Sequence, residues 1–378
     1  MRATRAIIHL DKFAENLRFV RERVGQRRLI CAVVKADAYG HGAVAVAQAG
    51  LAAGADFLAV ATVGEGEELR EAGLNAPLLL LSQPLPDEIP RLVKSTLTPI
   101  VSDGEYAGLL EKSASAAGIR LPVHLKTDTG MNRMGCAPED APALARLIAS
   151  CRSLKYEGTA THFAAADSDV AADITRTEKQ LNCFRQTLSR IQAAGIDPGI
   201  VHAANSGAVM LHPDSWFDMV RPGILLYGYD ATKAASGEDA CVKPVMELRT
   251  RVVFIKPVKK GQTVSYGGTW TAPCDTEIAV LSIGYADGLP RLASDRWQAV
   301  IGGRTFPLAG RICMDQCMID IGSAGSVRRW DEAVLFGGGA PGADELAGKT
   351  GTIPYEITCN ISKRVPRVWI KKPDRMPS

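Results

Sequence analysis

The stretch that decides the fold is Leu29–Gly42, LICAVVKADAYGHG, in which an apolar run ends on a lysine and two glycines follow. The run Leu29–Lys35 predicts a buried strand. A lysine at this place either extends into solvent or is desolvated, with a lowered pKa that suits covalent reaction with a carbonyl group. Gly40 and Gly42 let the backbone approach a ligand closely. The stretch therefore predicts a strand with a candidate reactive lysine at its end.

Similar apolar runs follow at short intervals as far as residue 226, with amphipathic stretches such as 173–194 between them. Strands that alternate with helices indicate a parallel sheet. Eight of them predict a (β/α)8 TIM barrel over residues 11–235, with Lys35 at the end where barrel enzymes hold their sites. A doubly wound sheet is the alternative. The predicted strands are Leu29–Lys35, Phe57–Thr62, Pro77–Ser82, Thr98–Ser102, Leu121–Thr127, Tyr156–His162, Ile200–Asn205 and Asp218–Arg221.

The composition changes at residues 230–244, where Ala, Ser, Gly, Lys and Asp crowd together and indicate a linker. The β-branched runs after it predict a mostly-β domain formed by residues 240–378 together with residues 1–10, since 3–10 also resembles a strand that could pair there. The predicted strands of this domain are Val252–Ile255, Thr263–Tyr266, Glu277–Ile283, Ala299–Ile301, Met318–Ile321 and Ala333–Phe336.

Composition excludes several classes of function. The chain has 378 residues, 46% of them hydrophobic, and a net charge of only +3, which predicts a globular protein without a nucleic-acid or membrane partner. Its nine cysteines are scattered without metal-ligand spacing, so we expect reduced thiols and no metal. Neither a signal peptide nor a membrane-spanning run is recognised, and we expect a cytoplasmic protein.

Several motifs occur together in a fixed order from residue 31 to residue 367. In this order they make the chain resemble the alanine racemase family, whose cofactor is pyridoxal 5′-phosphate (PLP). One departure is Trp369, where the family more often has tyrosine. The motifs are VVKADAYGHG (33–42), KTDTGMNRMG (126–135), THF (161–163), AANSG (203–207), RPGI (221–224), VSYG (264–267), IGYADG (283–288), GRICMDQ (310–316), PYE (354–356) and ISKRVPR (361–367).

The resemblance implies that Lys35 carries PLP and then acts as one base, while Tyr266 acts on the opposite face of the substrate. PLP acidifies the Cα–H of an amino acid, and a racemase must move protons on both faces. The second domain would cover the barrel mouth of a partner chain in a homodimer. The resemblance further implies cofactor contacts from Tyr39, His162, Ser206, Arg221, Gly223, Ile224 and Tyr355, substrate contacts from Arg133 and Met314, and supporting or access positions at Lys126, Asp167, Tyr285, Arg291 and Asp315.

The expected activity is interconversion of L-alanine and D-alanine, with D-alanine supplied to peptidoglycan. One alternative is a racemase of broader range acting on serine, lysine or arginine. A PLP-dependent decarboxylase is disfavoured because Arg221 stands where a carboxylate would be expected. A non-catalytic PLP-binding protein made of the barrel alone is also disfavoured, because it would lack the domain that contains Tyr266.

Overall fold

The computed structural model describes residues 3–230, 232, 242–322, 325 and 327–371. Its first strand, β1, is followed by helix α1 and then by a sheet of eight parallel strands, β2 to β9. The strands of this part are β1 Arg5–His9, β2 Leu29–Val33, β3 Phe57–Val60, β4 Leu78–Leu80, β5 Thr98–Val101, β6 Leu121–Lys126, β7 Leu154–Ala160, β8 Ile200–His202 and β9 Met219–Val220.

The sheet closes into a barrel. Its hydrogen-bonded order is β8-β7-β6-β5-β4-β3-β2-β9, and the two end strands meet because the Asp218 N–H donates to Val201 O at 3.0 Å and the Arg221 N–H to Ala204 O at 2.9 Å. The TIM-barrel prediction is therefore confirmed and the open doubly wound sheet is excluded. All the predicted barrel strands exist, although most end a residue or two earlier than predicted because the last residues turn into the loops of the mouth.

Helices surround the barrel and pack apolar faces against its strands. The predicted amphipathic stretch 173–194 is helix α8, which buries Leu181, Phe184 and Ile191. No helix among the described residues is long and apolar enough to cross a membrane. The helices are α1 Leu10–Val24, α2 Lys35–Gly40, α3 Ala43–Ala52, α4 Val63–Glu71, α5 Ile89–Lys94, α6 Gly104–Ala116, α7 Ala141–Ser150, α8 Ala171–Ala193, α9 Ser206–Leu211, α10 Ala343–Thr350 and α11 Pro354–Cys359.

The second part of the chain is mostly β, as predicted. Its main sheet has eight strands in the order β15-β14-β17-β10-β1-β18, with β13 joining β10 to β16, and β11 and β12 form a separate ribbon. The predicted strands are present, while β12, β15 and β18 were not foreseen. The strands are β10 Met246–Val258, β11 Thr263–Val264, β12 Trp270–Thr271, β13 Thr276–Leu281, β14 Gln298–Ile301, β15 Arg304–Pro307, β16 Cys317–Gly322, β17 Glu332–Phe336 and β18 Arg367–Ile370.

The N-terminal strand belongs to this second sheet. β1 pairs antiparallel with β10 and parallel with β18, so the predicted pairing of residues 3–10 with the C-terminal part is confirmed. Most of the predicted linker 230–244 lies outside the described residues. The division into domains at 11–235 and at 1–10 plus 240–378 stays a prediction.

Candidate active site

A cavity of about 480 Å³ lies at the carboxyl ends of the barrel strands. This is the end at which barrel proteins hold their catalytic residues. It brings together all the residues that the motifs predict for the cofactor, together with Arg133 and Lys126, from elements far apart in the sequence. Those that line it are Lys35, Tyr39, Lys126, Arg133, His162, Ser206, Arg221, Gly223, Ile224 and Tyr355.

Lys35 begins an unusual backbone turn. The residues after it, Ala36–Tyr39, have φ between 52° and 54°, which is one turn of left-handed helix made without glycine. Such a conformation costs about 1–2 kcal/mol per residue, so it persists only where surrounding contacts hold it. The Ala36 N–H donates to Glu65 Oε1 at 2.7 Å, and the Ala43 N–H donates to Asp37 Oδ1 at 2.7 Å.

The second domain of the same chain also fixes this turn. Arg367 Nε donates to Gly40 O at 2.9 Å, and Trp369 Nε1 donates to His41 O at 2.9 Å. A Cβ on Gly40, whose φ is +81°, would lie 2.2 Å from Thr358 O. The segment after Lys35 is therefore held between the barrel and the C-terminal strand, and its position depends on both domains.

Tyr39 forms one wall of a recess of the cavity beside Gly223. Its ring lies 4.6 Å from that of Tyr227 and 5.8 Å from that of Tyr355, measured between centroids. A Cβ on Gly223 would lie 2.5 Å from Tyr39 Oη, so only glycine leaves room for the phenol. The Gly223 N–H donates to Ser206 Oγ at 2.9 Å. Two phenols, a hydroxyl and adjacent backbone amides thus meet in one place, a donor set that suits a phosphate group.

Arg221 stands on the opposite side of the cavity floor and is buried. Its guanidinium donates to His202 Nδ1 at 2.6 Å, Thr161 O at 2.8 Å and Ala203 O at 3.0 Å, and it lies 3.2 Å from His162 Nδ1. All of these acceptors are uncharged, because burial and the neighbouring Arg221 charge lower the pKa of both histidines well below the usual range. Burial lowers the pKa of Arg221 itself to about 10, so it stays a cation.

The cavity concentrates positive charge. Burial, followed by the charge of Arg133, lowers the pKa of Lys35. Burial and the charges of Arg221 and Arg133 lower the pKa of Lys126 to about 8. A lowered pKa makes more of the neutral, nucleophilic amine available at Lys35. The surrounding cations favour an anionic ligand, for example one that carries phosphate and carboxylate groups.

Another group of predicted site residues lies in the second domain and outside this cavity. Tyr266 is 70% exposed and Met314 is 53% exposed, and Tyr266 lines a separate depression of about 400 Å³. Tyr285 is 41% exposed, and its loop meets that of Met314, because the Ala286 N–H donates to Met314 O at 3.0 Å. Asp315 accepts from Arg364 Nη2 at 2.6 Å. These residues lie near one another on the exposed surface of the second domain.

The two remaining predicted positions differ in where they lie. Asp167 is close to Gly207, since a Cβ added to Gly207 would lie 2.7 Å from the Cα of Asp167. Burial raises the pKa of Tyr355, and the charge of Asp167 adds to that effect. Arg291 is exposed and begins a short 3₁₀ turn, Arg291–Ala293, in the second domain. The barrel cavity therefore contains neither, although Asp167 adjoins it.

Several residues that shape the site were not predicted from the sequence. Glu65, Arg367 and Trp369 hold the turn after Lys35, and His202 and His124 lie behind Arg221. The Ile361–Arg367 motif was recognised, but nothing in its letters indicates a contact with residue 40. Among the described residues no group of His, Cys, Asp or Glu could hold a metal ion.

A barrel mouth that combines a desolvated lysine, a group of hydroxyl and amide donors and a buried arginine is typical of a barrel protein that binds an anionic cofactor through a lysine. The family model described as "Alanine racemase, N-terminal domain" matches residues 8–231, and the one for the C-terminal domain matches residues 245–369. The chain belongs to the alanine racemase family, which uses PLP.

Relatives match over nearly the whole length. An alanine racemase of Treponema denticola is 49% identical over 376 residues, covering 98% of this chain and 99% of the relative. Among solved structures, an alanine racemase of Clostridium difficile 630 has a TM-score of 0.90 at 36% identity, covering 98% of this chain and 97% of that one. A biosynthetic alanine racemase from Pseudomonas aeruginosa has a TM-score of 0.88 at 33% identity, covering 98% and 100%.

The residues in the cavity fit PLP. Lys35 offers an amine with a lowered pKa for the aldehyde. Beside Gly223, where only glycine leaves room for the Tyr39 phenol, hydroxyl and amide groups are available for the phosphate. Arg221 is a cation fixed by several acceptors, and as a permanent donor it matches an unprotonated ring nitrogen.

Proposed function

We propose that this chain interconverts L-alanine and D-alanine with PLP, using Lys35 and Tyr266 as bases on opposite faces of the substrate. The observation that carries the proposal is the placement of Lys35, whose pKa is lowered, among the cations of the barrel mouth. Bound PLP delocalises the charge left on Cα when its proton is removed. Binding of the substrate, its orientation and the movement of its protons are carried out by residues of this chain.

Lys35 is proposed to hold the cofactor and, when the substrate amine displaces it, to exchange a proton with Cα from one face. The lowered pKa of its amine serves both tasks, because a base with a pKa near the working pH is most effective. The left-handed turn after Lys35 fixes the start of its side chain. Glu65 stabilises the turn by accepting the hydrogen bond from the Ala36 N–H.

Arg221 is proposed to donate to the ring nitrogen of the cofactor and, because it remains a cation, to keep that nitrogen unprotonated. His162 contacts the guanidinium of Arg221 and helps to orient it. Tyr39, Ser206, Tyr355 and the backbone at Gly223 and Ile224 would bind the phosphate. This assignment is supported by the recess they line, which follows the strands β8 and β9 where barrel proteins frequently bind phosphate.

Arg133, oriented by Lys126, is proposed to bind the substrate carboxylate together with the backbone of Met314. Tyr266, Tyr285, Met314 and Asp315 would come from a partner chain, so that the working unit is a homodimer with two shared sites. The support is that these side chains are exposed on a common surface rather than turned to the cavity of their own chain. Asp167 and Arg291 would line the access path.

The proposed role in the cell is the supply of D-alanine for peptidoglycan. The direct test is a racemisation assay of the PLP-loaded protein on L-alanine, L-serine, L-lysine and L-arginine, with D-alanine as the reverse substrate. We expect alanine to exceed the others in kcat/KM, since each extra group in a small pocket is discriminated by about 1–3 kcal/mol. Comparable values for serine, lysine or arginine would establish the broader racemase instead, and no turnover of any would support a binding protein.

A further inference from the structure

Behind Arg221 a line of buried polar side chains runs down the inside of the barrel. Arg221 Nη1 lies 2.6 Å from His202 Nδ1, and His202 Nε2 lies 2.7 Å from His124 Nδ1. His124 Nε2 lies 3.5 Å from Glu157 Oε2, an ion-pair distance, and forms no hydrogen bond with any described residue. Both imidazoles are fully buried, whereas the Glu157 side chain is 18% exposed and also pairs with Lys155. The line therefore connects the buried arginine with a carboxylate at the edge of solvent.

The positions of the protons on this line follow from one fixed donor. A guanidinium can only donate, so His202 Nδ1 must accept and carries no proton. The proton of a neutral His202 is then on Nε2 and is donated to His124 Nδ1. By the same reasoning His124 carries its proton on Nε2, which faces Glu157. Every donor points away from Arg221 and towards the carboxylate.

The pKa shifts agree with two neutral imidazoles between two charges. Burial, followed by the charge of Arg221, lowers the pKa of His202 well below its usual range. Burial also lowers the pKa of His124, against the opposing influence of Glu157. The nearby His124 ring is the largest of the influences that lower the pKa of Glu157 to about 2. Lys126 and Lys155 are the other charged side chains whose fields reach the pair.

The backbone is shaped for this contact. Val123 is paired with Tyr156, but the next residue, His124, is paired with Gly158, so Glu157 is the extra residue of a β-bulge in β7. Bulges occur next to active sites, where they redirect a side chain. Gly158 has a related effect, because a Cβ there would lie 2.7 Å from His124 Nδ1. The bulge and the glycine leave Glu157 and the His124 ring side by side.

We propose that His202, His124 and Glu157 are positioning residues that balance the charge of Arg221 and fix the direction of its guanidinium. One-way hydrogen bonds run from Arg221 to His202 and from His202 to His124, and the charge of Glu157 faces the far side of the His124 ring. Neutral acceptors surround Arg221 directly, so its negative counterpart lies two imidazoles away. Chains of hydrogen bonds polarise one another, which lets Glu157 act on Arg221 without contact. The role of Arg221 at the cofactor ring rests on the proposed function, whereas the proton arrangement does not.

The first test measures the proton positions directly. The chain has only six histidines. Replacing one histidine at a time, as in His9→Gln or His212→Gln, removes one set of signals from the ¹⁵N-histidine NMR spectrum of the full-length protein and so assigns the spectrum. We expect His202 and His124 to be neutral, with the proton on Nε2, and not to titrate around neutral pH, with or without added PLP. A proton on Nδ1 of His202, or titration of either ring near neutrality, would overturn the proposal.

The second test removes the charge and keeps the shape. In Glu157→Gln we expect the His124 and His202 ¹⁵N resonances to move and the absorbance maximum of bound PLP to shift. We also expect kcat to fall about tenfold, which corresponds to about 1.4 kcal/mol, with KM within about twofold. Lys155→Gln is the matched control, since it removes the other partner of Glu157, and we expect kcat within about twofold of the parent. Equal effects of the two variants, or unmoved histidine resonances in Glu157→Gln, would overturn the proposal.

Glu157→Asp keeps the charge at a shorter reach, and we expect it to recover part of the kcat lost in Glu157→Gln. If Glu157→Gln does not fold, the activity of Glu157→Asp and the proton positions in the parent protein still test the proposal. The failures are distinguishable. A parent protein without racemase activity contradicts the proposed function, while an active parent with protonated or reversed imidazoles contradicts only the chain of hydrogen bonds.

Discussion

The barrel mouth and the exposed surface of the second domain contain the two proposed bases in opposite surroundings. At the mouth, Arg221 is buried with four hydrogen-bond partners, and the turn after Lys35 is held by both domains. On the second domain, Tyr266 is 70% exposed. The first region is fixed before any ligand binds, and the second is an open surface. The difference is what we expect if, as proposed, a partner chain completes the site.

The contrast has a physical reason. Cations that orient a cofactor must be held by buried acceptors, because reorientation during the reaction would reduce their effect. A tyrosine that must meet a substrate across a subunit boundary has to lie on the surface of its own chain. The predictions below test whether the two regions differ in this way, beginning with the largest expected effect.

The fixed region depends first on Lys35. In Lys35→Ala we expect racemisation to fall by more than about 10⁴-fold, because both the covalent attachment and one base are lost. The visible absorbance of bound PLP should also change to that of the free cofactor. Racemisation of L-alanine and an absorbance spectrum after gel filtration measure the two effects.

The matched control is Lys112→Ala, which removes an exposed lysine of α6 and should leave activity and absorbance unchanged. Retention of the parent spectrum in Lys35→Ala would assign the cofactor attachment to another amine and would remove the basis of the two-base mechanism.

The open region depends first on Tyr266. In Tyr266→Phe we expect proton exchange at Cα to fall by about 10²–10⁴-fold from one enantiomer and much less from the other, because only one face loses its base. Exchange of the Cα hydrogen with ²H₂O, followed by NMR from each pure enantiomer, measures this asymmetry.

Tyr106→Phe is the control, since it removes a buried hydroxyl without a hydrogen-bond partner among the described residues, and we expect exchange from both enantiomers to be preserved. Mixing Lys35→Ala with Tyr266→Phe chains should restore part of the activity if the bases come from different subunits. Equal losses from both enantiomers, or no recovery on mixing under subunit exchange, would contradict the shared site.

The same two regions show what the sequence could and could not foretell. Apolar runs placed the barrel strands, and the motifs placed Lys35, Arg221 and Gly223 in one cavity. The left-handed turn at Ala36–Tyr39 could not be foreseen, because the intrinsic preference of such residues opposes it and only tertiary contacts maintain it. The contact of His124 with His202, 78 residues apart, depends on β6 and β8 lying on either side of β7 in the curved sheet. Neither leaves a periodic pattern in the sequence.

A test of the held turn is Gly40→Ala. The added Cβ would lie 2.2 Å from Thr358 O at a φ of +81°, so we expect a loss of about 3 kcal/mol in the free energy of unfolding. Cofactor affinity should fall as well, because the shifted backbone carries Tyr39. Urea unfolding and PLP titration measure the two losses.

Gly54→Ala provides the comparison, because Gly54 also has a positive φ, +100°, but nothing lies within 4 Å of an added Cβ. We expect it to cost only the backbone strain, about 1 kcal/mol, and to leave PLP affinity unchanged. Equal effects of the two substitutions would mean that the contact with Thr358 does not hold the turn.

The second domain is stabilised by its own buried charge, which gives acid sensitivity. Burial opposes ionisation of Glu247, but hydrogen bonds from His9 and Arg249 outweigh it and lower its pKa from 4.5 to about 2. Since the folded pKa is the lower one, the stabilisation is complete above pH 4.5 and is lost as the pH falls towards 2. We expect Glu247→Gln to lose about 2 kcal/mol at neutral pH and to show a smaller dependence on pH in this range.

Urea unfolding at several pH values measures this effect. Glu71→Gln, at an exposed position, should reproduce the parent curve. An unchanged acid limb in Glu247→Gln would assign the acid sensitivity to other carboxylates, of which Glu157 in the barrel is the first candidate because its pKa is also lowered to about 2.

The smallest effect is expected at Trp369, which connects the two regions at the edge of the turn. Trp369→Phe removes the hydrogen bond from Nε1 to His41 O, 2.9 Å long, and keeps an aromatic ring over Gly42. We expect a loss of about 1 kcal/mol in the free energy of unfolding and kcat within about twofold, because Arg367 and Asp37 still hold the backbone on either side. Trp369→Tyr, the residue more common in the family, should behave alike or better if its hydroxyl finds the same acceptor. If Trp369→Phe instead lowers the free energy of unfolding or the PLP affinity as strongly as Gly40→Ala, the turn is held mainly by this one contact with the second domain, and Arg367 and Asp37 contribute less than their hydrogen bonds indicate.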